Sequence, residues 1–541
     1  MQKRPSDDIL SANLESLPAN TRRALEHAVG DRRVDVSNGH AAGTVLTGDG
    51  RRAVVHASTD PVAAAEALLD RCGPVPLLVV IGFGFGYLLD ALERRGAATK
   101  ILAVEPVPAI ARAMLSRRDC RDWLTSGRLA LLVGPAFPDA MEAWKLFGRD
   151  AATPPVLVTP LVEREFPTET ADARAAVARI VAGVKANAVA RRKFAGRYLL
   201  NTLRNLPLLA EEGDASALFN LFERVPAIVV AAGPSLDATL PGIKAAQGRA
   251  LIITVDTAIR PLLAAGIQPH LAVAVDPSDI NAQHLTGLPP TNIPLVGEGS
   301  LDPSVLPEFH GRTFTFRVSD HQPWPWLRSV GLDRGGLQAW GSVLTTAFDL
   351  AIKVGCDPIV FAGADLAYTR GLQYCRNTAY EPHWKYLNTD EERAEAFKAY
   401  LAQKPHSLQP DIHRQPTITT REFMQFRDWI VARASGVRGR SILNATGGGI
   451  LHGGPIRQTT FERLTLPALS EAGQFAARIA AAWTRSAPTD EVSERVGEAL
   501  TDPAALPMPE WLDFGGDTVT EEQILSAAAD AANRMTSTCR S

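Results

Sequence analysis

Short apolar runs that end in a glycine or an acid recur along the chain, and helical spacing follows most of them. The first run, Pro76–Ile81, is rich in branched residues and is followed by glycine, which is typical of a buried parallel strand. Tyr87–Arg94 has helical spacing, and a second run, Ile101–Val104, ends at Glu105. The pattern therefore predicts a βαβ unit, and we expect a further strand at Pro155–Thr159 to close this domain.

The same alternation of apolar strands and helical stretches resumes after Pro226 and continues for longer there. Alternation of this kind predicts a mostly parallel sheet with helices on both faces. The predicted strands are Ala227–Ala231, Leu251–Val255, Leu271–Val275, Ile293–Val296, Thr313–Val318 and Pro358–Ala362.

The length of the chain requires more than one domain. A single hydrophobic core rarely grows past about 250 to 300 residues, and this chain has 541. The changes of pattern predict an N-terminal Rossmann-like domain at 1–165, a helical connector at 166–222, a larger central domain at 223–460 and a C-terminal helical region at 461–541. The predicted fold class is α/β, with two Rossmann-like domains.

The net charge and the cysteines of the chain limit the kinds of binding partner and the cellular compartment that the sequence predicts. Basic and acidic residues number 56 and 59, a net charge of -3, so the chain has no overall positive field for nucleic acid or an anionic membrane. No apolar leader region follows the N-terminus, and no run of about 18 apolar residues occurs. Five scattered cysteines suit a reducing compartment. We expect a cytoplasmic protein with no nucleic-acid partner and no stable membrane insertion.

The segment Ile228–Asp237 carries an apolar strand directly into Gly233, Pro234 and Ser235, after which a helix can begin. Glycine permits close approach of a ligand, a serine hydroxyl can donate to a phosphoryl oxygen, and a helix N-terminus favours anions. The segment is thus a candidate phosphate-binding turn. A strand-to-helix turn without a ligand is the alternative.

The next two predicted strands deliver acids at their ends. Asp256, followed by Thr257, ends one strand, and Asp276 ends the next. Acids at the carboxyl ends of adjacent parallel strands lie along the crevice where open α/β sheets bind ligands. Asp256 and Asp276 are therefore candidates for holding a ribose, a base edge or a metal, although both can equally cap the helices that follow.

Two later segments add polar and glycine residues to the same predicted crevice. The strand that ends at Ala362 is followed by Gly363 and Asp365. Further on, an amide, a hydroxyl and a glycine run can form a loop that fits closely around a ligand. Its candidate binding residues are Asn444, Thr446, Gly447 and Gly448.

At these positions the sequence resembles the motility-associated factor (Maf) family of flagellin glycosyltransferases, whose central domain is MptE-like. The matching motifs are Gly-Pro-Ser-Leu at 233–236, Asp-Thr-Ala at 256–258, Gly-Ala-Asp-Leu-Ala-Tyr at 363–368 and Asn-Ala-Thr-Gly-Gly at 444–448. The resemblance implies a central domain similar to bacterial sialyltransferases, a CMP-activated pseudaminic or legionaminic acid as donor, and Ser or Thr of flagellin as acceptor. One motif departs from the family: relatives often carry a Thr-His pair where this chain has Gln373-Tyr374.

The reaction implied by the resemblance is an inverting transfer in which CMP departs and an acceptor hydroxyl attacks from the opposite face. It needs a general base near the acceptor and electrostatic support for the leaving phosphate, whereas no metal or other cofactor is required. We place Asp365 first as the base because it ends a strand in the crevice. The other candidates are His321, Tyr374 and His452.

Other functions remain open from the sequence. The Gly-Pro-Ser-Leu domain also resembles archaeal 6-hydroxymethyl-dihydropterin pyrophosphokinases, which would use ATP and magnesium held by Asp256 and Asp276. A non-catalytic protein that binds flagellin or a nucleotide is a further alternative.

The N-terminal βαβ unit is a candidate second site. Its glycines, Gly82, Gly84 and Gly86, followed by Glu105, resemble in spacing the first motif of Rossmann-like methyltransferases. A tight turn without a ligand explains the same residues.

Overall fold

Two parallel sheets, one in each half of the chain, carry the predicted α/β alternation and confirm the fold class. The computed structural model describes residues 5–28, 34–35, 44–46, 50–56, 59–134, 143, 146–147, 152–318, 321–380, 390–437, 439–466 and 474–538. The chain separates into an N-terminal unit, Met1–Arg191, and a C-terminal unit, Arg192–Ser541. The finer division into four domains stays a prediction.

The N-terminal unit contains seven helices and seven strands among its described residues. The strands are β1 (Val34–Asp35), β2 (Thr44–Leu46), β3 (Arg52–Val54), β4 (Leu77–Ile81), β5 (Lys100–Glu105), β6 (Leu129–Val133) and β7 (Val156–Val158). The helices are α1 (Pro5–Glu15), α2 (Ala19–His27), α3 (Pro61–Cys72), α4 (Tyr87–Arg94), α5 (Pro108–Leu115), α6 (Arg121–Thr125) and α7 (Pro160–Glu165). The long helix α8 (Pro167–Leu209) continues into the C-terminal unit.

The main sheet of the N-terminal unit has the strand order β6-β5-β4-β7, and all its pairs are parallel. Strand β4 is buried along its whole length, as its uninterrupted apolar sequence predicts. Strands β1 to β3 form a separate antiparallel sheet.

The C-terminal unit contains a nine-stranded sheet and a hairpin. Its strands are β8 (Gly213–Asp214), β9 (Ala227–Val230), β10 (Leu251–Val255), β11 (Leu271–Ala274), β12 (Leu295–Glu298), β13 (Thr313–Phe316), β14 (Ile359–Ala362), β15 (His406–Pro410), β16 (Pro416–Thr420), β17 (Ile442–Asn444) and β18 (Arg457–Gln458). Its helices after α8 are α9 (Leu236–Ala245), α10 (Asp256–Ala264), α11 (Asp279–Ala282), α12 (Val305–Glu308), α13 (Trp324–Ser329), α14 (Val343–Lys353), α15 (Asp390–Ala402), α16 (Arg421–Gly436), α17 (Phe475–Ser486), α18 (Asp490–Thr501), α19 (Met508–Gly515) and α20 (Glu521–Thr538).

The strand order of the large sheet is β18-β17-β14-β9-β10-β11-β12-β13-β8, with every pair parallel. From β9 the chain proceeds outward through β10 to β13 and then returns to the other side of β9 as β14. The direction of winding therefore reverses between β9 and β14. In open α/β sheets such a reversal opens a crevice at the carboxyl ends of the two strands.

Most predicted strands are confirmed with boundaries moved by one or two residues, and two features of the C-terminal unit correct the prediction. The segment expected to be a helical connector also supplies β8, which extends the large sheet beside β13. Helix α17 of the expected C-terminal helical region packs against β8, and its Trp483 donates from Nε1 to Glu212 Oε2 at 3.0 Å and to the Thr313 carbonyl at 2.9 Å. These helices are therefore part of the packed C-terminal unit.

Candidate functional site

The sheet brings two of the predicted motifs together at the point where its winding reverses. Ser235 follows β9, and Asp365 follows the neighbouring strand β14. The Ser235 hydroxyl donates to Asp365 Oδ1 at 2.6 Å, and the Ser235 N–H donates to Oδ2 at 3.2 Å. The Gly233 N–H donates to the Gly363 carbonyl at 2.8 Å. The Gly-Pro-Ser turn and the Gly-Ala-Asp segment thus form one structure, which we call the switch-point floor.

The contacts within the switch-point floor bear on the phosphate-binding role of Gly233, Pro234 and Ser235, which stays a prediction. Proline has no N–H, the Gly233 and Ser235 N–H groups are bonded as described, and the Leu236 N–H donates to the Gly233 carbonyl at 2.9 Å. The Asp365 carboxylate thus takes the donors that were predicted to bind phosphate. A methyl group on Gly233 would collide with that carboxylate, so glycine is needed here for close packing of the two motifs.

The geometry also disfavours Asp365 as the general base. Its side chain is 1% exposed, and both of its oxygens accept hydrogen bonds from Ser235. Burial raises the pKa of Asp365, and the hydrogen bonds from Ser235 oppose that rise. In this position the carboxylate holds the turn in place and does not face an acceptor.

The predicted loop from Asn444 to Gly448 completes the switch-point floor. Asn444 is buried and organises the loop, since its Nδ2 donates to the Leu451 carbonyl at 2.9 Å and its Oδ1 accepts the Thr446 N–H at 3.2 Å. Thr446 then accepts the Ala364 N–H through Oγ1 at 3.1 Å, which ties the loop to the end of β14.

Of the two predicted loop glycines, Gly448 packs against the Ser235–Asp365 pair, whereas Gly447 does not. Gly448 is buried, and a methyl group there would lie 2.6 Å from Ser235 Oγ. Gly447 is exposed, and its carbonyl lies 3.3 Å from His413 Nε2. The predicted residues of this loop and of the turn are therefore brought together.

Two of the six non-glycine residues with positive φ in the described part of the chain lie just after Asp365. Leu366 and Arg370 have φ values of 50° and 58°, in the left-handed region that non-glycine residues rarely adopt. Such conformations cost on the order of 1 kcal/mol each and cluster at functional sites. Because Leu366 follows Asp365 directly and its carbonyl accepts the Thr419 hydroxyl at 2.8 Å, the strain supports this segment as functional.

The acids predicted at the ends of β10 and β11 lie beside each other further along the same edge of the sheet. Asp256 is 4% exposed and accepts the N–H of Thr257 at 2.7 Å. Asp276 is half-buried and accepts the Ser278 N–H at 2.8 Å. Burial raises the pKa of Asp256 to about 7; the Thr257 N–H opposes this rise, and the charge of Asp276 adds to it.

The other three candidates for the general base, predicted from the sequence, lie in different surroundings. Burial raises the pKa of Tyr374, and the charges of Tyr380, Tyr400 and Asp256 add to that rise. His321 lies between aromatic rings, 5.3 Å from Tyr198 and 5.7 Å from Phe514 between centroids. His452 has its Nε2 3.1 Å from a proline carbonyl on β15. Of the three, Tyr374 is the one whose pKa is affected by a predicted crevice acid.

Two site residues were missed by sequence reasoning. Tyr380 stacks on Tyr374 with 5.2 Å between ring centroids, and His284 lies edge-on to Tyr380 at 4.7 Å. His284 is fully buried. Neither lies at a strand end or in a spaced motif, so the sequence carried no signal for them beyond residue type.

The candidate second site in the N-terminal unit is filled by the protein's own groups. Gly82, Gly84 and Gly86 have φ values of 79°, 63° and 76°, which explains the glycines by backbone conformation. Glu105 is 1% exposed and accepts the Gly84 N–H at 3.0 Å through one oxygen and the Val107 N–H at 3.1 Å through the other. The geometry favours a tight turn without a ligand.

Two negative findings apply to the described part of the chain. Within those ranges, no three His, Cys, Asp or Glu side chains are arranged so that they could hold a metal ion. Among the same residues, no helix combines the length and apolar character needed to cross a bilayer.

Comparisons with known proteins find similarity in the central part of the chain. Residues 200–371 match the family model described as 6-hydroxymethylpterin diphosphokinase MptE-like, which confirms the MptE-like character predicted for the central segment. A stretch of 217 residues is 27% identical to an uncharacterised protein of Treponema pallidum (strain Nichols) and spans 39% of this chain and 44% of that relative's length. The chain is also similar to a solved Maf glycosyltransferase from Magnetospirillum magneticum AMB-1, with a TM-score of 0.47, 17% identity, and coverage of 98% of this chain and 91% of the other.

Proposed function

We propose that the chain is a glycosyltransferase that moves a nonulosonic acid, of the pseudaminic or legionaminic type, from a CMP-activated donor to a Ser or Thr hydroxyl of flagellin. One observation carries the proposal. Three of the Maf-like motifs, separated by up to 213 residues in sequence, meet at the reversal of the sheet as Ser235, Asp365 and Gly448. This is the position at which open α/β sheets bind nucleotides.

The switch-point floor acts by holding the Gly-Pro-Ser turn and the glycine loop in fixed positions. The Asp365 carboxylate fixes the Gly-Pro-Ser turn, and Gly448 of the loop packs against Ser235. We place the cytidine and phosphate of the donor across the ends of β9, β10 and β14. Asp256 and Thr257 at the end of β10 are the residues proposed to contact the ribose.

The proposed function also bears on whether the donor needs a metal and on the compartment in which the reaction takes place. A CMP-activated sugar already carries a monophosphate leaving group, so the proposed reaction requires no metal. We place the reaction in the cytoplasm, where flagellin is available before its assembly into the flagellum.

The test is a pair of measurements on the purified chain. Calorimetric titration with CMP, CTP and ATP, with and without magnesium, should show CMP binding that needs no metal and that weakens in Ser235→Ala. Incubation with CMP-pseudaminic or CMP-legionaminic acid and flagellin should release CMP and increase the mass of flagellin by one sugar. CMP binding without any transfer to flagellin would support a non-catalytic, nucleotide-binding protein in its place.

A second candidate function follows from the family match. The MptE-like description names a 6-hydroxymethylpterin diphosphokinase, a reaction that transfers diphosphate from ATP with magnesium. Asp256 and Asp276 are the acids placed to hold that magnesium together with substrate phosphates. Magnesium-dependent ATP binding with no response to CMP would favour this function over glycosyl transfer.

A further inference from the structure

Two carboxylates at the ends of adjacent strands lie outside the switch-point floor. Val255 of β10 pairs with Val273 of β11, so Asp256 and Asp276 leave the sheet on neighbouring strands. Asp256 is buried, whereas Asp276 is half-buried and makes an Asx turn with the Ser278 N–H. Asp276 is therefore the more accessible of the two acids.

A pair of tyrosines links the helix that follows Asp276 to the end of β9. The rings of Tyr374 and Tyr380 are stacked, and the Tyr380 hydroxyl donates to Asn281 Oδ1 at 2.9 Å. The segment between them is fixed against the Gly-Pro-Ser turn, because the Cys375 N–H donates to the Ala232 carbonyl at 3.0 Å. Burial raises the pKa of Tyr380, and the charges of Asp256 and Asp276 add to that rise.

A buried histidine beside this cluster indicates that a polar group is needed there. His284 has 0% exposure, and neither of its ring nitrogens has a hydrogen-bond partner among the described residues. Burial lowers its pKa to about 4; the charge of Arg260 adds to this, and that of Asp276 opposes it. Leaving a buried polar group without a partner destabilises the fold, so the imidazole marks a place that a ligand hydroxyl or a water molecule can complete.

We propose that Asp276 takes the proton from the acceptor hydroxyl, while Asp256 and His284 are positioning residues around it. The inference rests on the proposed function. In the step, the acceptor oxygen forms a bond to the anomeric carbon, and the bond between that carbon and the phosphate oxygen breaks with its electron pair going to CMP. The hydroxyl proton moves to the Asp276 carboxylate. Asp365 is not available for this role because Ser235 occupies both of its oxygens.

The experiment compares Asp276→Asn with the matched control Asp279→Asn. Asp279 is the same residue type three positions away, and its side chain is 77% exposed. In the complete chain, Asp276→Asn should bind CMP as the wild type does but lose about 10²- to 10⁴-fold in kcat for transfer to flagellin, the usual effect of removing a general base. The control should keep the wild-type kcat.

Azide separates a chemical role from a structural one. Azide is already an anion, so it attacks the anomeric carbon without losing a proton and CMP leaves as before. With CMP-pseudaminic or CMP-legionaminic acid as donor, azide should therefore restore CMP release in Asp276→Asn and give a glycosyl azide, with little effect on wild type. If Asp276→Asn does not fold, Asp276→Ala takes its place in the same assay.

The outcomes distinguish the two levels of the proposal. If wild type transfers the sugar and Asp276→Asn keeps more than about a tenth of its kcat, or binds CMP normally but does not respond to azide, Asp276 is not the base and the proposed function stands. If wild type releases no CMP from either donor, the proposed function fails and this inference fails with it.

Discussion

Ser235 and Asp365, 130 residues apart in the chain, are joined by two hydrogen bonds, from the hydroxyl at 2.6 Å and from the backbone N–H at 3.2 Å. These hydrogen bonds join the ends of β9 and β14, the two strands between which the winding of the sheet reverses. The Asp365 carboxylate is buried, so it stabilises the site by holding the Gly-Pro-Ser turn in place. Much of the proposed chemistry depends on this contact.

Removing the carboxylate should loosen the Gly-Pro-Ser turn. In Asp365→Ala, two Ser235 donors lose their acceptor, and we expect a loss of about 1 to 3 kcal/mol in the free energy of unfolding. CMP affinity should fall at least about tenfold, which corresponds to 1.4 kcal/mol. Chemical denaturation and calorimetric titration measure the two effects.

The matched control for that change is Asp302→Ala. Asp302 also accepts a serine hydroxyl at 2.6 Å, from Ser304, but the contact is local and exposed. This variant should change stability by less than about 0.5 kcal/mol and leave CMP binding intact. Equal effects of the two substitutions would contradict the role assigned to the Ser235–Asp365 pair.

Alanine substitutions at the three loop glycines test the effects of backbone strain and of steric conflict separately. Gly447 has φ +82° with open space around it, Gly448 has no positive φ but lies against Ser235, and Gly449 has φ +75° and lies against the Asp365 backbone. Gly447→Ala should cost about 1 kcal/mol of stability with little effect on CMP binding. Gly448→Ala should weaken CMP binding, and Gly449→Ala should be the most damaging. Thermal melting and CMP titration of the series test this order.

Asp256→Asn should change the pH dependence of stability. Burial raises the pKa of this carboxyl to about 7, whereas in the unfolded chain it ionises near pH 4. Its contribution to folding is thus complete below pH 4 and is lost as the pH rises to 7. The asparagine variant lacks this loss, so relative to wild type it should gain about 2 kcal/mol between pH 5 and pH 8.

Chemical denaturation at the two pH values measures that gain. The groups that face Asp256 are Asp276, Tyr374 and Tyr380, and all three are kept in the variant. Asp279→Asn, in which an exposed carboxyl is removed, should show no such gain. A pH-independent difference between Asp256→Asn and wild type would show that the carboxyl ionises normally in the folded chain.

The N-terminal glycine turn should not bind S-adenosylmethionine. Both oxygens of Glu105 are engaged by backbone N–H groups, and His56 Nε2 accepts the Phe85 N–H at 3.0 Å. Glu105→Ala should therefore lower stability by about 1 to 3 kcal/mol, and titration of wild type with S-adenosylmethionine should give no heat of binding. Saturable binding that is lost in Glu105→Ala would revive the methyltransferase interpretation.

The sequence predicts those parts of the fold whose signal is local. Strands β4, β9 and β10 are buried along their whole length and, apart from Thr254, are apolar, so a short run of residues is enough to identify them. Strand β6, Leu129–Val133, has the same signal and was predictable. The hairpin β15–β16 is partly exposed and polar, and β17 has only three residues, so neither carries a clear pattern.

The candidate site is predictable to a lesser degree. Strand-end position identifies Ser235, Asp256, Asp276 and Asp365, but it does not decide whether an acid faces a ligand or a neighbouring turn. That depends on contacts between distant segments, as the burial of Asp365 shows. The positions of Tyr380 and His284 arise from tertiary packing alone.

The two strands at the borders of the large sheet, β8 and β18, contain only two residues each. An unpaired border strand is a template to which a strand of another molecule can bond, and long, flat ones lead to aggregation. Here seven longer or more central strands are enclosed between borders that offer a foreign strand very few backbone groups, and helix α17 packs against one of them. The margins of this wide parallel sheet therefore give a second molecule little to pair with.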